Sequence, residues 1–209
     1  MQLDRHQIVY LDPAAWSVLI GARPDFNATA MVADWAHLRH PLIARRPMCS
    51  DEVGVVPLGL PLPPSLGKQR LAFAVRPEAV VSADLPPLLA DVIETAPAAW
   101  RATLDALVML DADVRCFGSL AWQYLTGLAY LSATSDIDLL WHVSCADHAN
   151  RLVADITRIE ARAPMRLDGE IVVPGGAAIQ WREWAAGAPE LLAKDRDGAR
   201  MIARDRVFA

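Results

Sequence analysis

Residues Phe117–Trp141 read FGSLAWQYLTGLAYLSATSDIDLLW, and no other stretch of the chain restricts its fold as tightly. Val114–Phe117 has strand character and runs into Gly118-Ser119. Leu120–Thr126 follows with a helical pattern ended by Gly127, and Ile137–Trp141 is again a strand. A Gly-Ser turn that leaves a strand and opens into a helix aims backbone N–H groups at whatever lies beyond the strand end, and an anionic phosphate suits that position. Asp136 and Asp138 are two residues apart, so on a strand they share one face while Ile137, Leu139 and Trp141 take the other. Packing on one side then holds two carboxylates rigid on the other. That is a site for a hard divalent cation, above all Mg²⁺, with one or two ions. A bare Asp-x-Asp is more often two solvated side chains, and a bare Gly-Ser more often a plain turn. Together they are the minimal equipment for phosphoryl or nucleotidyl transfer.

A third acid is expected on a neighbouring strand. MRLDGEIVV offers Asp168 and Glu170, spaced for one face, and either can complete the metal site or act as a base toward an attacking hydroxyl. The competing account is a bulge at Asp168-Gly169 with a solvated Glu170. Candidate phosphate contacts are Ser119, the Arg45-Arg46-Pro47 clamp and Lys194, each of which can also be an ordinary surface group. The five histidines are scattered without ligand spacing, and no GxSxG or Cys/His arrangement supports covalent catalysis.

Composition changes near residue 85, which divides the chain into 1–85 and 86–209. The first part is short and Pro-broken. It carries a strand at Gln7–Leu11 and a helix begun by Asp12-Pro13 that runs to about Leu19. A second helix is expected over Ala28–His37, with strands at Leu42–Arg46, Val53–Leu58 and Leu71–Val75. The prolines of VPLGLPLPPSLGKQR argue for a loop and against a central strand. The second part carries helices at Leu88–Glu94, Ala98–Leu110 and Ala146–Ala161, and strands at Met165–Val173 and Ala177–Trp181 around Pro174-Gly175-Gly176. A last helix is expected over Leu191–Ala203. The order is that of an α/β (α+β) chain with a mixed sheet in its C-terminal domain and a smaller α+β N-terminal domain.

A net charge of −5 disfavours a nucleic-acid partner, which would call for a basic surface. No run approaches the ~18 apolar residues of a membrane span. The start MQLDRHQIVYLDP lacks the pattern of a signal peptide, and three cysteines at unrelated spacings suggest neither zinc nor a disulfide framework. The expectation is a soluble, cytoplasmic protein.

Gly118-Ser119, Asp136-x-Asp138 and an acid at Asp168 or Glu170 together resemble the nucleotidyltransferase superfamily, which includes DNA polymerase β and aminoglycoside nucleotidyltransferases. The resemblance implies a polymerase β-type catalytic domain. The interval between Ser119 and Asp136 is longer than in many members. A second resemblance accounts for it. RHQIVYLDPAAW, ARRP, VPLGLPLP, the Phe117–Trp141 stretch, APMRLDGEIVVPGGAAIQWREW and LLAKDRDGAR are similar, in order, to the malonate decarboxylase holo-[acyl-carrier-protein] synthases, also called phosphoribosyl-dephospho-CoA transferases.

That likeness implies transfer of the phosphoribosyl-dephospho-CoA group from 2′-(5″-triphosphoribosyl)-3′-dephospho-CoA to a serine of the apo acyl-carrier subunit of malonate decarboxylase, with release of diphosphate. Asp136 and Asp138 would bind Mg²⁺, Gly118 and Ser119 would cradle the diphosphate, and Asp168 or Glu170 would assist the serine. The first part would bind the dephospho-CoA arm, the carrier or both. Two other readings stay open: a nucleotidyltransferase using an ordinary nucleoside triphosphate, and a non-catalytic binding protein on the same fold.

Overall fold

In the computed structural model, which describes residues 1–23 and 29–209, Asp12 joins a strand to a helix as its chemistry requires. Its Oδ1 accepts the Ala15 N–H at 2.9 Å, and Pro13 occupies the first turn, where a missing donor costs nothing. Contacts divide the chain into Met1–Leu85 and Pro86–Ala209.

The first unit is an antiparallel five-stranded sheet with short helices. In chain order it contains β1 (Ile8–Leu11), α1 (Pro13–Gly21), α2 (Ala30–Ala33), β2 (Leu42–Ala44), β3 (Val56–Pro61), β4 (Arg70–Val75) and β5 (Val80–Asp84), with strand order β4-β3-β2-β1-β5. Trp16 and Trp35 are fully buried, and each indole N–H finds a carbonyl, Val32 O and Pro41 O, both at 2.9 Å. The helix expected from Ala28 begins outside the described residues. Its described part is only α2, capped by the Thr29 hydroxyl and followed by turns.

The proline-rich stretch departs from expectation, since β3 is a central strand between β2 and β4. The ladder geometry explains why. Leu62 N–H bonds to Gln69 O, so even-numbered residues turn their polar groups toward β4. Pro57 and Pro61 are odd-numbered and turn their donorless nitrogens toward short β2, where Pro57 O still accepts the Arg45 N–H at 3.1 Å. The full β3–β4 ladder is therefore left intact.

The second unit holds α3 (Leu89–Val92), α4 (Arg101–Leu110), β6 (Arg115–Phe117), α5 (Gly118–Thr126), β7 (Ile137–His142), α6 (Ala146–Glu160), β8 (Leu167–Val172), β9 (Ala178–Gln180), α7 (Trp181–Ala185), β10 (Glu190–Lys194) and β11 (Ala199–Ala203). The sheet order is β11-β10-β9-β8-β7-β6. Only β7 and β8 are parallel, joined through α6, so the sheet is mixed and the α+β expectation holds. Ile137, Leu139 and Trp141 pack into one core with Leu104, Leu107, Leu152, Val153 and Ile156. By register, Asp138, Asp168, Glu170 and Gln180 project from the opposite face.

The expected C-terminal helix over Leu191–Ala203 is instead the β10–β11 hairpin. Its cause is the DRDG segment. Asp195 Oδ1 accepts the N–H groups of Asp197 and Gly198 at 3.0 and 2.9 Å, and Asp195 N–H closes on Gly198 O at 3.0 Å. An Asp that satisfies the backbone this way favours a turn over a helix interior. Leu191 and Ala193 are buried and alternate with partly exposed Leu192 and Lys194, which is strand periodicity. Among the described residues, no helix is long and apolar enough to cross a membrane.

Candidate active site

Three neighbouring strands bring the site together. Phe117 on β6 faces Asp138 on β7, and Asp138 faces Asp168 on parallel β8. Adjacent strands lie roughly 4.8 Å apart, so the two acids are side by side on one face. Asp136 sits one residue before β7, between the loop and the strand.

Gly118 opens α5 directly after β6 with φ +66°, a conformation that side chains disfavour. A Cβ placed there would lie 1.8 Å from Asp138 Oδ2. The Asp138 carboxylate therefore rests against bare backbone at the start of the helix. Ser119 is the second residue of α5 and half-buried. Neither its hydroxyl nor the Asp136 carboxylate is engaged by a hydrogen bond or ion pair among the described residues. The charge of Asp138 is felt behind the strand. Burial, and after it Asp138, pushes the Cys116 thiol far up, so Cys116 stays a neutral thiol.

The loop that delivers Asp136 is tied to α5. Gln123 Oε1 accepts the N–H groups of Tyr130 and Leu131, both at 3.2 Å, while its Nε2 donates to Thr95 O. Buried Tyr130 packs on Trp122, with ring centroids 6.0 Å apart. The extra length between Gly-Ser and Asp-x-Asp is thus an ordered strap.

The two candidate third acids differ. Asp168 Oδ1 accepts from Gly169 N–H at 2.9 Å and from Gln180 Nε2 at 2.6 Å, and Oδ2 has Arg166 Nη2 at 3.7 Å. Glu170 lies two residues further on, opposite Leu140, buried, and paired with Lys194 Nζ at 3.2 Å. Lys194, a candidate phosphate contact, is therefore committed to Glu170 and stands on a strand. Gly169 permits the β7–β8 contact itself, because a Cβ there would lie 2.3 Å from Leu139 O.

Arg45 and Arg46 belong to the first unit. All five Arg45 N–H groups are used within it: Nε on Leu58 O, Nη1 on Arg46 O and Asp51 Oδ2, Nη2 on Asp51 Oδ1 and Phe73 O. The guanidinium holds the Asp51 carboxyl down at about 2 and ties the end of β2 to the middle of β3 and β4, leaving no donor for a phosphate.

Sequence reasoning missed Gln180, Gln123 and the Glu160–Arg182 ion pair. The last joins α6 to α7 and reaches both backbone groups of Leu167, the residue before Asp168. The partners lie 22 positions apart, and nothing local in the sequence links them.

Among the described residues, no three His, Cys, Asp or Glu side chains converge as a metal cage. Mg²⁺ commonly takes one or two carboxylates and completes its shell with water and substrate phosphate oxygens, so Asp136 and Asp138 suffice as a donor set for it.

Residues 88–205 match the family model described as phosphoribosyl-dephospho-CoA transferase MdcG C-terminal domain, and residues 4–86 match the corresponding N-terminal domain. A phosphoribosyl-dephospho-CoA transferase of Bradyrhizobium diazoefficiens is 44% identical over 206 residues, covering 97% of this chain and 90% of that protein. One from Xanthomonas campestris pv. campestris is 35% identical over 210 residues, with 98% and 96% covered. One from Pseudomonas putida is 28% identical over 191 residues, with 90% of each covered. No solved structure matches the chain.

Proposed function

The chain belongs to the phosphoribosyl-dephospho-CoA transferase family, and on that premise we propose that it moves the phosphoribosyl-dephospho-CoA group from 2′-(5″-triphosphoribosyl)-3′-dephospho-CoA to a serine of the apo acyl-carrier subunit of malonate decarboxylase. The observation that carries this reading is likeness over both units, 97% of the chain, to a protein of that name.

In the reaction the serine Oγ forms a bond to the α-phosphorus, the bond to diphosphate breaks, and the hydroxyl proton passes to a base. The Gly118–Asp138 contact places one carboxylate beside the N–H groups that open α5. Gly118 and Ser119 cradle the leaving diphosphate, whose charge the helix start favours. Asp136 and Asp138 would hold Mg²⁺, which when bound neutralises phosphate oxygens as charge shifts onto the leaving group. Asp168 is the third acid in preference to Glu170, because it stands opposite Asp138 while Glu170 is buried against Lys194. It takes the serine proton. Residues 1–85 contribute to binding the dephospho-CoA arm or the carrier, and the reaction belongs to the cytoplasm.

The test is to incubate protein, Mg²⁺, donor and apo carrier and to weigh the carrier by mass spectrometry. A gain of one phosphoribosyl-dephospho-CoA unit, absent with Asp136→Ala, supports the reading. No gain with intact donor and folded carrier refutes it, and a nucleotidyl adduct from a nucleoside triphosphate would point to the ordinary nucleotidyltransferase instead.

A further inference from the structure

Gln180 ends β9 and caps α7, and its side-chain amide is used at both ends. Oε1 accepts the Arg182 N–H at 2.5 Å, and Nε2 donates to Asp168 Oδ1 at 2.6 Å. Those two partners fix which way the amide points, since the reverse would set donor against donor and acceptor against acceptor. Gly169 N–H takes the same Asp168 oxygen at 2.9 Å. Oδ1 is therefore occupied twice, while Oδ2 has only the exposed Arg166 guanidinium at 3.7 Å. The backbone on the other side of Asp168 is held as well. Leu167 N–H bonds to Glu160 Oε1, and Leu167 O accepts from Arg182 Nη2 and Trp181 Nε1.

We propose that Gln180 is a positioning residue for the transfer. By occupying Asp168 Oδ1 it makes Oδ2 the oxygen that meets the acceptor hydroxyl. This rests on the role given to Asp168 above. As the serine Oγ bonds to phosphorus and diphosphate departs, the hydroxyl proton goes to Oδ2 and later to water. The cap on α7 requires only an acceptor at this length, whereas orienting Asp168 requires the N–H donor. The two duties can therefore be separated by substitution.

Gln180→Glu keeps length and acceptor but removes the donor. It is expected to lower kcat about 10²-fold, the scale of a small misplacement of a reacting group, while KM for the donor stays near the wild-type value. In an Asp168→Asn background the same substitution is expected to add little, because its target is gone. An independent readout uses the intact chain without substrate. The Gln180 side-chain amide signals, identified by their loss in Gln180→Glu, should shift and exchange faster with solvent in Asp168→Asn.

Wild-type kcat in Gln180→Glu, or an equal loss in both backgrounds, overturns the proposal and leaves the site reading standing. Near-normal transfer by Asp168→Asn alone overturns the role of Asp168 and this proposal with it. Should Gln180→Glu not fold, the Gln180 signals are identified by assignment of the wild-type spectrum. Signals unchanged by Asp168→Asn then overturn the contact, and signals moved by it sustain the contact.

Discussion

Gly118 and Asp138 are fitted to each other so closely that the glycine's missing side chain is what makes room for the acid. A Cβ would stand 1.8 Å from Oδ2 and 2.6 Å from Cγ, with φ at +66°. Gly118→Ala therefore meets two penalties. The left-handed conformation costs about 1–2 kcal/mol for a residue with a side chain. The methyl group also drives the Asp138 carboxylate off its seat. The expected result is a drop of about 10²-fold or more in transfer rate, the scale of a misplaced catalytic group, with thermal stability lowered only modestly. Initial rates by carrier mass, beside thermal melts of the same sample, check both halves.

The two carboxylates at the head of β7 carry the next expectation. Asp136→Ala and Asp138→Ala should each cost on the order of a thousandfold in rate, since each removes charge stabilisation at the phosphates. Chelation with EDTA should stop transfer by the wild-type chain, and Mg²⁺ should restore it. Titration calorimetry should give Mg²⁺ binding, with donor present, that disappears in Asp136→Asn/Asp138→Asn. Near-normal transfer by Asp136→Ala at saturating Mg²⁺ would remove these residues from the site.

Much of the candidate site's geometry was legible because its sequence signals are local. Gly118-Ser119 and Asp136-x-Asp138 are short patterns with a fixed geometric meaning, and the alternation that buries Ile137, Leu139 and Trp141 follows from strand period alone. The choice between Asp168 and Glu170 was not local, because it depends on which residue of β8 stands opposite Asp138. Gln180 was invisible for the same reason, its partner lying 12 residues away on another strand. The β3 prolines misled because pattern gives no ladder parity, and a proline is harmless when its nitrogen faces the shorter neighbour. The last hairpin misled because two apolar runs of strand length, separated by DRDG, also fit an interrupted helix.

The Arg45–Asp51 pair makes the first unit sensitive to acid. The Asp51 carboxyl is held down at about 2, against 3.8 for the ordinary group, by the Arg45 hydrogen bonds first and the Met48 N–H next. A carboxyl depressed on folding contributes stability that is complete above the unfolded value and is lost as pH falls through the folded one. The contribution should therefore be full above about pH 4 and fade toward pH 2. Asp51→Asn should unfold at lower urea than wild type at pH 7, and the gap should narrow steadily below pH 4. Urea melts followed by tryptophan fluorescence at several pH values test it; a gap independent of pH would detach Asp51 from the effect.

Arg182 and Glu160 are bonded at both Glu160 oxygens, and together they grip Leu167 by its N–H and its carbonyl. The guanidinium also covers the Trp181 ring at 4.3 Å. Each partner moves the other further into its charged state, Glu160 down and Arg182 up, chiefly through their mutual hydrogen bonds. The side chains are 34% and 21% exposed, so solvent screens the pair in part. Breaking it with Arg182→Met should cost about 1–3 kcal/mol, less than the figure for a fully buried pair. Because Leu167 immediately precedes Asp168, loosening it should also lower the transfer rate, and by a larger factor than the stability loss alone explains at temperatures where the variant is fully folded. Glu160→Gln/Arg182→Met removes both charges, leaves no unpaired ion, and should regain part of the stability without regaining the rate. Urea melts and initial rates on wild type and the two variants separate the two effects, and a double variant that recovers both would make the pair a packing element with no part in holding Asp168.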